Sequence, residues 1–258
     1  MKATKNRAGN VSPQAEVSRR RRRAMALAAG LSWVMVCGCG TARTSAPLSP
    51  VEQASQERSR GERWARRIEQ WMPVREEARL ERDLTAISSR LGSSDRPRIR
   101  FFGGAAGGPT APVFVLPGGH WYFSVHALQG LRYDNELAAA VAAAQALGER
   151  EFAGAAGVTP SGPGAVDPGA FWMPECTPAD WKRVSARMVE ILYRAGYDPR
   201  GVPQFWRKSA PAWTGMPPDW TLQLQEGALA EIARRAPLLN PVVRTPEFGE
   251  IEKRLKQL

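Results

Sequence analysis

The sequence predicts an α+β fold, and three features carry that expectation. Tyr133 to Phe152 reads as one helix, and ten of the twelve residues from Leu137 to Gly148 are Ala, Leu or Val, the composition of a helix buried on most sides. Val113–Leu116 and Trp121–Val125 are short apolar runs joined through Pro117-Gly118-Gly119-His120, which reads as a β-hairpin. Leu80, Leu84, Ile87 and Leu91 recur at the spacing of one helix face. A length of 258 residues suits one domain of catalytic size behind a leader, and 43% apolar residues can supply a core.

The N-terminus has the layout of a secretory signal. Arg19 to Arg23 form a charged run, followed by 13 apolar residues, Ala24 to Val36, fewer than the roughly 20 of a transmembrane helix. Val36-Cys37-Gly38-Cys39 then resembles a bacterial lipobox, which implies cleavage before Cys39 and lipid on its sulfur. An uncleaved signal anchor is the alternative. Gly40, where an Asp would retain a lipoprotein at the inner membrane, favours the outer membrane, facing the periplasm. The expected organisation is a signal peptide over 1–38, a Ser/Thr/Ala/Pro-rich tether over 39–50 and a domain over 51–258.

Charge and cysteine usage agree with this division. Residues 1–38 hold eight Lys/Arg and one Glu, so seven of the eleven net positive charges belong to the leader. A domain left with +4 does not read as a nucleic-acid footprint. Cys37 leaves with the signal and Cys39 carries lipid, so Cys176 stands alone and no intrachain disulfide forms in the mature chain. Cys176 reads as a structural thiol, because neither His120 nor His126 has a third group to orient it as a base.

Within the domain, Val51 to Trp71 is a charged helix broken by Pro73, and Glu76 to Leu91 is a second helix that ends at Gly92. Arg98 to Phe102 is a short strand. The Gly-rich loop Gly103 to Pro109 lacks the Lys-Ser/Thr of a phosphate-binding loop and precedes no helix. The hairpin follows. The helix from Tyr133 is expected to take Asp134 or Asn135 as its N-cap. Ala153 to Pro178 is rich in Gly and Pro and reads as irregular. In it, Trp172 and Met173 either fold over an apolar groove or fill a core gap. Ala179 to Ala195 is helical and stops at Gly196-Tyr197-Asp198-Pro199. Glu226 to Ala236 is a further helix, and Thr245-Pro246 opens the last one as N-cap and first residue. His120 and His126 would share a face of a regular strand but lie roughly 20 Å apart, too far to share a metal. They read as polar residues at hairpin ends.

Several phrases in this order resemble zinc metallopeptidases of the HtpX/BepA/CAAX-prenyl-protease type over about residues 76 to 258. They are Val113-Phe114-Val115-Leu116-Pro117-Gly118-Gly119 at the hairpin, Asn135-Glu136-Leu137-Ala138-Ala139-Ala140 at the helix start, and Arg194-Ala195-Gly196-Tyr197-Asp198-Pro199 with Phe205-Trp206 downstream. The resemblance implies a zincin-like arrangement, with helices around a small, mostly antiparallel sheet. Its β-hairpin edge lies beside the active-site helix, and there a substrate strand can add by backbone pairing. Phe114, Val115, Leu116, Pro117, Gly118 and Gly119 are the candidate binding edge. A hairpin that only covers the core is the alternative.

The chemistry of that family is missing. Its HExxH motif falls on Ala143, Ala144, Gln145, Ala146 and Leu147, so the two histidine ligands become Ala143 and Leu147 and the general-base position is Ala144. Counting back from Pro199, the third ligand falls on Arg183, and the Asp two residues on falls on Ser185. The family's Thr-His-Pro is replaced around Thr214 to Pro218. No metal or cofactor is therefore expected. The expected function is an inactive, metallopeptidase-like lipoprotein. It would bind an unfolded or extended polypeptide, or an assembly protein, at the bacterial cell envelope. The rival is an active zinc metalloendopeptidase in envelope quality control, and a third reading is a purely structural envelope lipoprotein.

Overall fold

The computed structural model describes residues 49–94, 96–103, 111–149, 178–212 and 218–258. The signal, Cys39, almost all of the tether, most of the 103–109 loop, Trp172, Met173, Cys176 and Thr214 to Pro217 lie outside the described residues. All described elements belong to one compact unit, residues 47–258. It is mixed α and β, with eight α-helices and one four-stranded sheet among the described residues.

The sheet is the middle layer. Its strands are β1 (Val74–Arg75), β2 (Arg98–Phe102), β3 (Val113–Leu116) and β4 (His120–Ser124), in the order β1-β2-β4-β3. β1–β2 and β3–β4 pair antiparallel, but the central β2–β4 pair is parallel, from Arg98 opposite His120 to Phe102 opposite Ser124. The sheet is thus mixed: two of its three pairings are antiparallel, as expected, and the central one is parallel. A hairpin fixes only its own two strands, so the parallel alignment of β2 with β4 is not set by the local pattern.

Alternation of side chains gives the sheet two buried faces. On one face Phe102, Phe114, Leu116 and Tyr122 form a cluster with Ala65 and Ile68 of α1 (Pro50–Trp71). On the other, Ile99, Phe101, Val113, Trp121 and Phe123 meet Leu80, Leu84 and Ile87 of α2 (Ala78–Arg90) and the long apolar helix. α1 starts on a capping box: the Ser49 hydroxyl accepts from the backbone N–H of Glu52, whose carboxylate accepts from Ser49 in return.

β4 ends at Ser124, whose hydroxyl caps α3 (Val125–Gln129) by accepting from Ala127 N–H at 3.4 Å. His126 therefore lies exposed on a helix and His120 lies buried on a strand, so the shared-strand geometry expected for the pair does not occur.

α4 (Asp134–Gly148) is the central helix, with Ala138 to Ala144 all at 0% exposure. It packs on β3 and α2 on one side, and on α5 (Pro178–Arg194) and α6 (Gly201–Ser209) on the other. α7 (Pro218–Ala233) lies against α5 and α6, and α8 (Phe248–Gln257) against α2 and α3. α7 starts eight residues before the expected Glu226 because Trp220, Leu224 and Ala228 already form its inner stripe. Gly227 is a contact point within α7: a Cβ there would lie 3.0 Å from the backbone of Lys182. α8 begins at Phe248, not at Thr245, because Thr245 spends its backbone N–H on the Asp134 carboxylate and Pro246 and Glu247 form a turn. No helix among the described residues is long and apolar enough to cross a membrane.

Candidate functional site

The five HExxH positions fall on the last two turns of α4. Ala143, Ala144 and Ala146 are fully buried, and Leu147 is partly buried against the same core. α5 also packs on α4, and its Trp181, Val184 and Met188 belong to the same core. Methyl groups fill this contact because alanine lets two helix backbones approach closely. Gln145 looks the other way and donates through Nε2 to the carbonyl of Ser88 on α2 at 3.5 Å.

The α5 positions fit a metal no better. The side chain of Arg183 is 56% exposed and pairs with Asp180 one turn back. Ser185 is fully buried, and its hydroxyl has no partner among the described residues. Zinc takes thiolate, imidazole or carboxylate. Two alanines, a leucine and a paired guanidinium offer none of these, so the donor set does not suit the ion.

The ends of α4 and α5 are joined by charge instead. Arg187 donates to both oxygens of Glu149 at 2.7–3.0 Å and pairs with Glu190 at 2.6 Å. The Glu149 hydrogen bonds, foremost, hold the guanidinium pKa above its usual range, and the Arg187 hydrogen bond holds Glu190 below its own. Sequence reading missed this clasp, since residues 38 apart on separate helices leave no local pattern.

The start of α4 is a polar junction. No side chain caps it: Tyr133 occupies the cap, while Asp134 and Asn135, the expected caps, are drawn to distant partners. Asp134 accepts from Thr245 N–H, and Asn135 donates through Nδ2 to the Asp198 carbonyl at 3.3 Å. Burial raises the Asp134 carboxyl above its ordinary value, against the lowering effect of Thr245. Burial also works against the ionised Asp198, but Arg200 overrides it, donating from Nε and Nη2 at 2.6–3.0 Å and holding that carboxyl below its usual range. Gly201 presses on the helix end: a Cβ there would lie 2.3 Å from the Asn135 carbonyl. Glu136, also buried, accepts from Lys208 Nζ at 2.7 Å and from Arg132 N–H at 2.7 Å. The Asn135-Glu136 and Gly196-to-Arg200 phrases therefore meet as one structural joint, distinct from Ala143, Ala144, Leu147 and Arg183.

β3 is an edge strand with no partner strand on its outer side among the described residues. Its pairing phase is fixed by Ser124 N–H, which donates to the carbonyl of Pro112, the residue opposite it in the β3–β4 register, at 2.9 Å. Antiparallel pairs alternate, so Phe114 and Leu116 bond toward β4 while the N–H and C=O of Val113 and Val115 point outward. The turn is not open in the same way. Gly118 and Gly119 both adopt left-handed φ, at 77° and 79°. α1 sits on this turn: a Cβ on Gly61 would lie 1.7 Å from the Pro117 carbonyl oxygen, and one on Gly118 2.8 Å from the Arg58 Cα. Of the six candidate edge residues, Phe114, Val115 and Leu116 lie on the edge strand, whereas Pro117 and Gly118 touch α1, Gly118 remaining exposed, and Gly119 completes the turn.

His120 closes this contact beneath α1. Its Nε2 has no partner among the described residues, and burial, with Arg98 adding to it, lowers its pKa. Gly61 is the one residue of the contact that sequence could have flagged: a lone glycine in an otherwise charged helix signals close packing.

No protein-family model matches the chain, and no curated protein matches it.

Proposed function

We propose that the protein is a metallopeptidase-like lipoprotein of the bacterial envelope that binds extended polypeptide and does not cleave it. The observation that supports this reading is the pairing of a closed helix contact with an open edge. Ala143 and Ala144 are sealed in the core around α4, while the N–H and C=O of Val113 and Val115 point outward from an edge strand with no partner strand among the described residues. An extended segment added there would extend the β1-β2-β4-β3 sheet by one strand and gain main-chain hydrogen bonds without any metal. The lipid on Cys39 would hold this edge near the membrane, where newly translocated or assembling chains pass.

Substitution at Val115 tests the binding edge. Val115→Ala trims the side chain, whereas Val115→Pro also removes the outward N–H and leaves the β3–β4 bonds intact, as edge strands tolerate. Retention of an unfolded casein on the immobilised domain is the readout. Wild type and Val115→Ala are expected to bind, and Val115→Pro is not. Equal retention by both variants, with wild-type unfolding curves, refutes strand addition at β3.

A further inference from the structure

α1 separates its charges. From Ser59 to Trp71 it carries Arg60, Arg63, Arg66 and Arg67 and only two acids, Glu62 and Glu69. Both acids lie on the flank turned to the sheet. Glu62 meets Arg98 of β2 at 3.6 Å, and Glu69 meets Arg100 at 3.8 Å and accepts from the Tyr122 hydroxyl at 3.1 Å. At 100° per residue the four arginines fall within an arc of about 120° on the side opposite Ala65 and Ile68, over about 10 Å of helix. All four are exposed, and among the described residues none meets a carboxylate. Arg60 and Arg63, Arg63 and Arg66, and Arg63 and Arg67 are like-charge neighbours at i, i+3 or i, i+4, unfavourable until an anion comes between them.

We infer that this outward face of α1 docks on an anionic phospholipid surface. The choice of lipid rests on the proposed anchor at Cys39. Nine residues lie between Cys39 and Ser49, ten steps that reach at most about 35 Å, so α1 is the first described element that a lipid-anchored chain would bring to the bilayer. The face is a convex row of guanidinium groups. Trp64, the aromatic within this run, packs toward the sheet cluster, so the arc offers no base-stacking platform for a nucleic acid. Docked this way, α1 would lie along the membrane with the sheet behind it.

The test uses the unit 47–258, which contains both cores and carries no lipid, so its outcome is independent of the anchor. Mass spectrometry of the mature N-terminus tests the anchor separately. Co-sedimentation is measured with phosphatidylglycerol-containing vesicles and with pure phosphatidylcholine vesicles. Each arginine near an anionic surface is worth roughly a fivefold change in binding. Replacing all four by Gln is expected to lower the affinity for anionic vesicles on the order of several hundredfold, and replacing all four by Lys to preserve most of it. Urea unfolding checks that both variants stay folded, as exposed positions allow. Equal binding to both vesicle types, or undiminished binding by the folded Gln variant, overturns the inference. So does arginine-dependent binding to a single-stranded RNA oligonucleotide at least as tight as to the anionic vesicles.

Discussion

Ala144→Glu places the general-base carboxylate of the resembled peptidases back on α4, and the structure predicts that it is poorly tolerated. Position 144 is fully buried. The added side-chain atoms overpack the α4–α5 contact, at a cost of about 1–3 kcal/mol. Burying the carboxyl without a partner costs about 1–3 kcal/mol more. Holding it neutral at pH 7, some 2.5 units above its ordinary pKa, adds about 3 kcal/mol. The total is on the order of 6 kcal/mol, comparable with the whole stability of an ordinary domain, about 5–15 kcal/mol. Ala144→Gln keeps the bulk and omits the ionisation, so it should be milder by about 3 kcal/mol. A carboxyl whose folded pKa is raised loses stability as pH rises above its unfolded pKa, so the gap between the two variants should close as the pH falls toward 4.5. Urea unfolding followed by circular dichroism at the two pH values reads both effects. Adding Ala143→His, Leu147→His and Arg183→Glu should not let zinc rescue the fold. Position 183 is 56% exposed while 143 and 144 are sealed, so the donors do not converge. A loss below about 1 kcal/mol for Ala144→Glu would mean that water reaches position 144, and the closed-contact description would have to be abandoned.

Three further outcomes follow from contacts elsewhere in the domain. Gly61→Ala should destabilise by about 2–3 kcal/mol in urea although alanine favours helix by about 1 kcal/mol, because the new Cβ meets the Pro117 backbone; a stabilised variant would remove the α1–turn contact. Burial and Arg98 lower the His120 pKa below its ordinary 6.5, so its share of stability is present above about pH 6.5 and is lost as the pH falls toward the folded value; His120→Gln should flatten the urea midpoint between pH 7.5 and 5.5, and an unchanged slope would contradict the buried neutral imidazole. Glu136→Gln should cost about 2 kcal/mol, since it weakens a charge-assisted bond from Lys208 while keeping an acceptor for Arg132 N–H; a double-mutant cycle with Lys208→Met that shows no coupling would refute that pair.

The parts of the fold that were legible in the sequence are those set by local pattern. The Leu80-Leu84-Ile87 stripe, the hairpin around Pro117 to Gly119 and the alanine run of α4 each carry their own periodicity, and the structure forms a helix, a hairpin and a helix there. What stayed hidden depends on distant chain. Asp134 and Asn135 look like caps because of their side chains, but Thr245 and Asp198, 111 and 63 residues away, claim them. The parallel β2–β4 pair and the Arg187–Glu149 clasp have the same cause: both partners are ordinary where they stand in sequence. Of the candidate edge, composition suggested the hairpin, but only the strand order and the approach of α1 to Pro117 and Gly118 divide it into an edge strand and a turn in contact with α1. Which residues stand at the positions that the resemblance assigns to metal ligands, Ala143, Leu147 and Arg183, was readable from the sequence directly, whereas their burial and pairing were not.

Zinc content, measured together with chelator-sensitive proteolysis on the purified protein, bears most directly on the proposal that the chain binds polypeptide without cleaving it. With Ala143, Ala144 and Leu147 packed against α5 and Arg183 paired with Asp180, zinc should be far below one ion per chain. Unfolded casein should be retained and recovered intact. One zinc per chain, with casein cleavage that a chelator abolishes, would contradict this and restore the active peptidase.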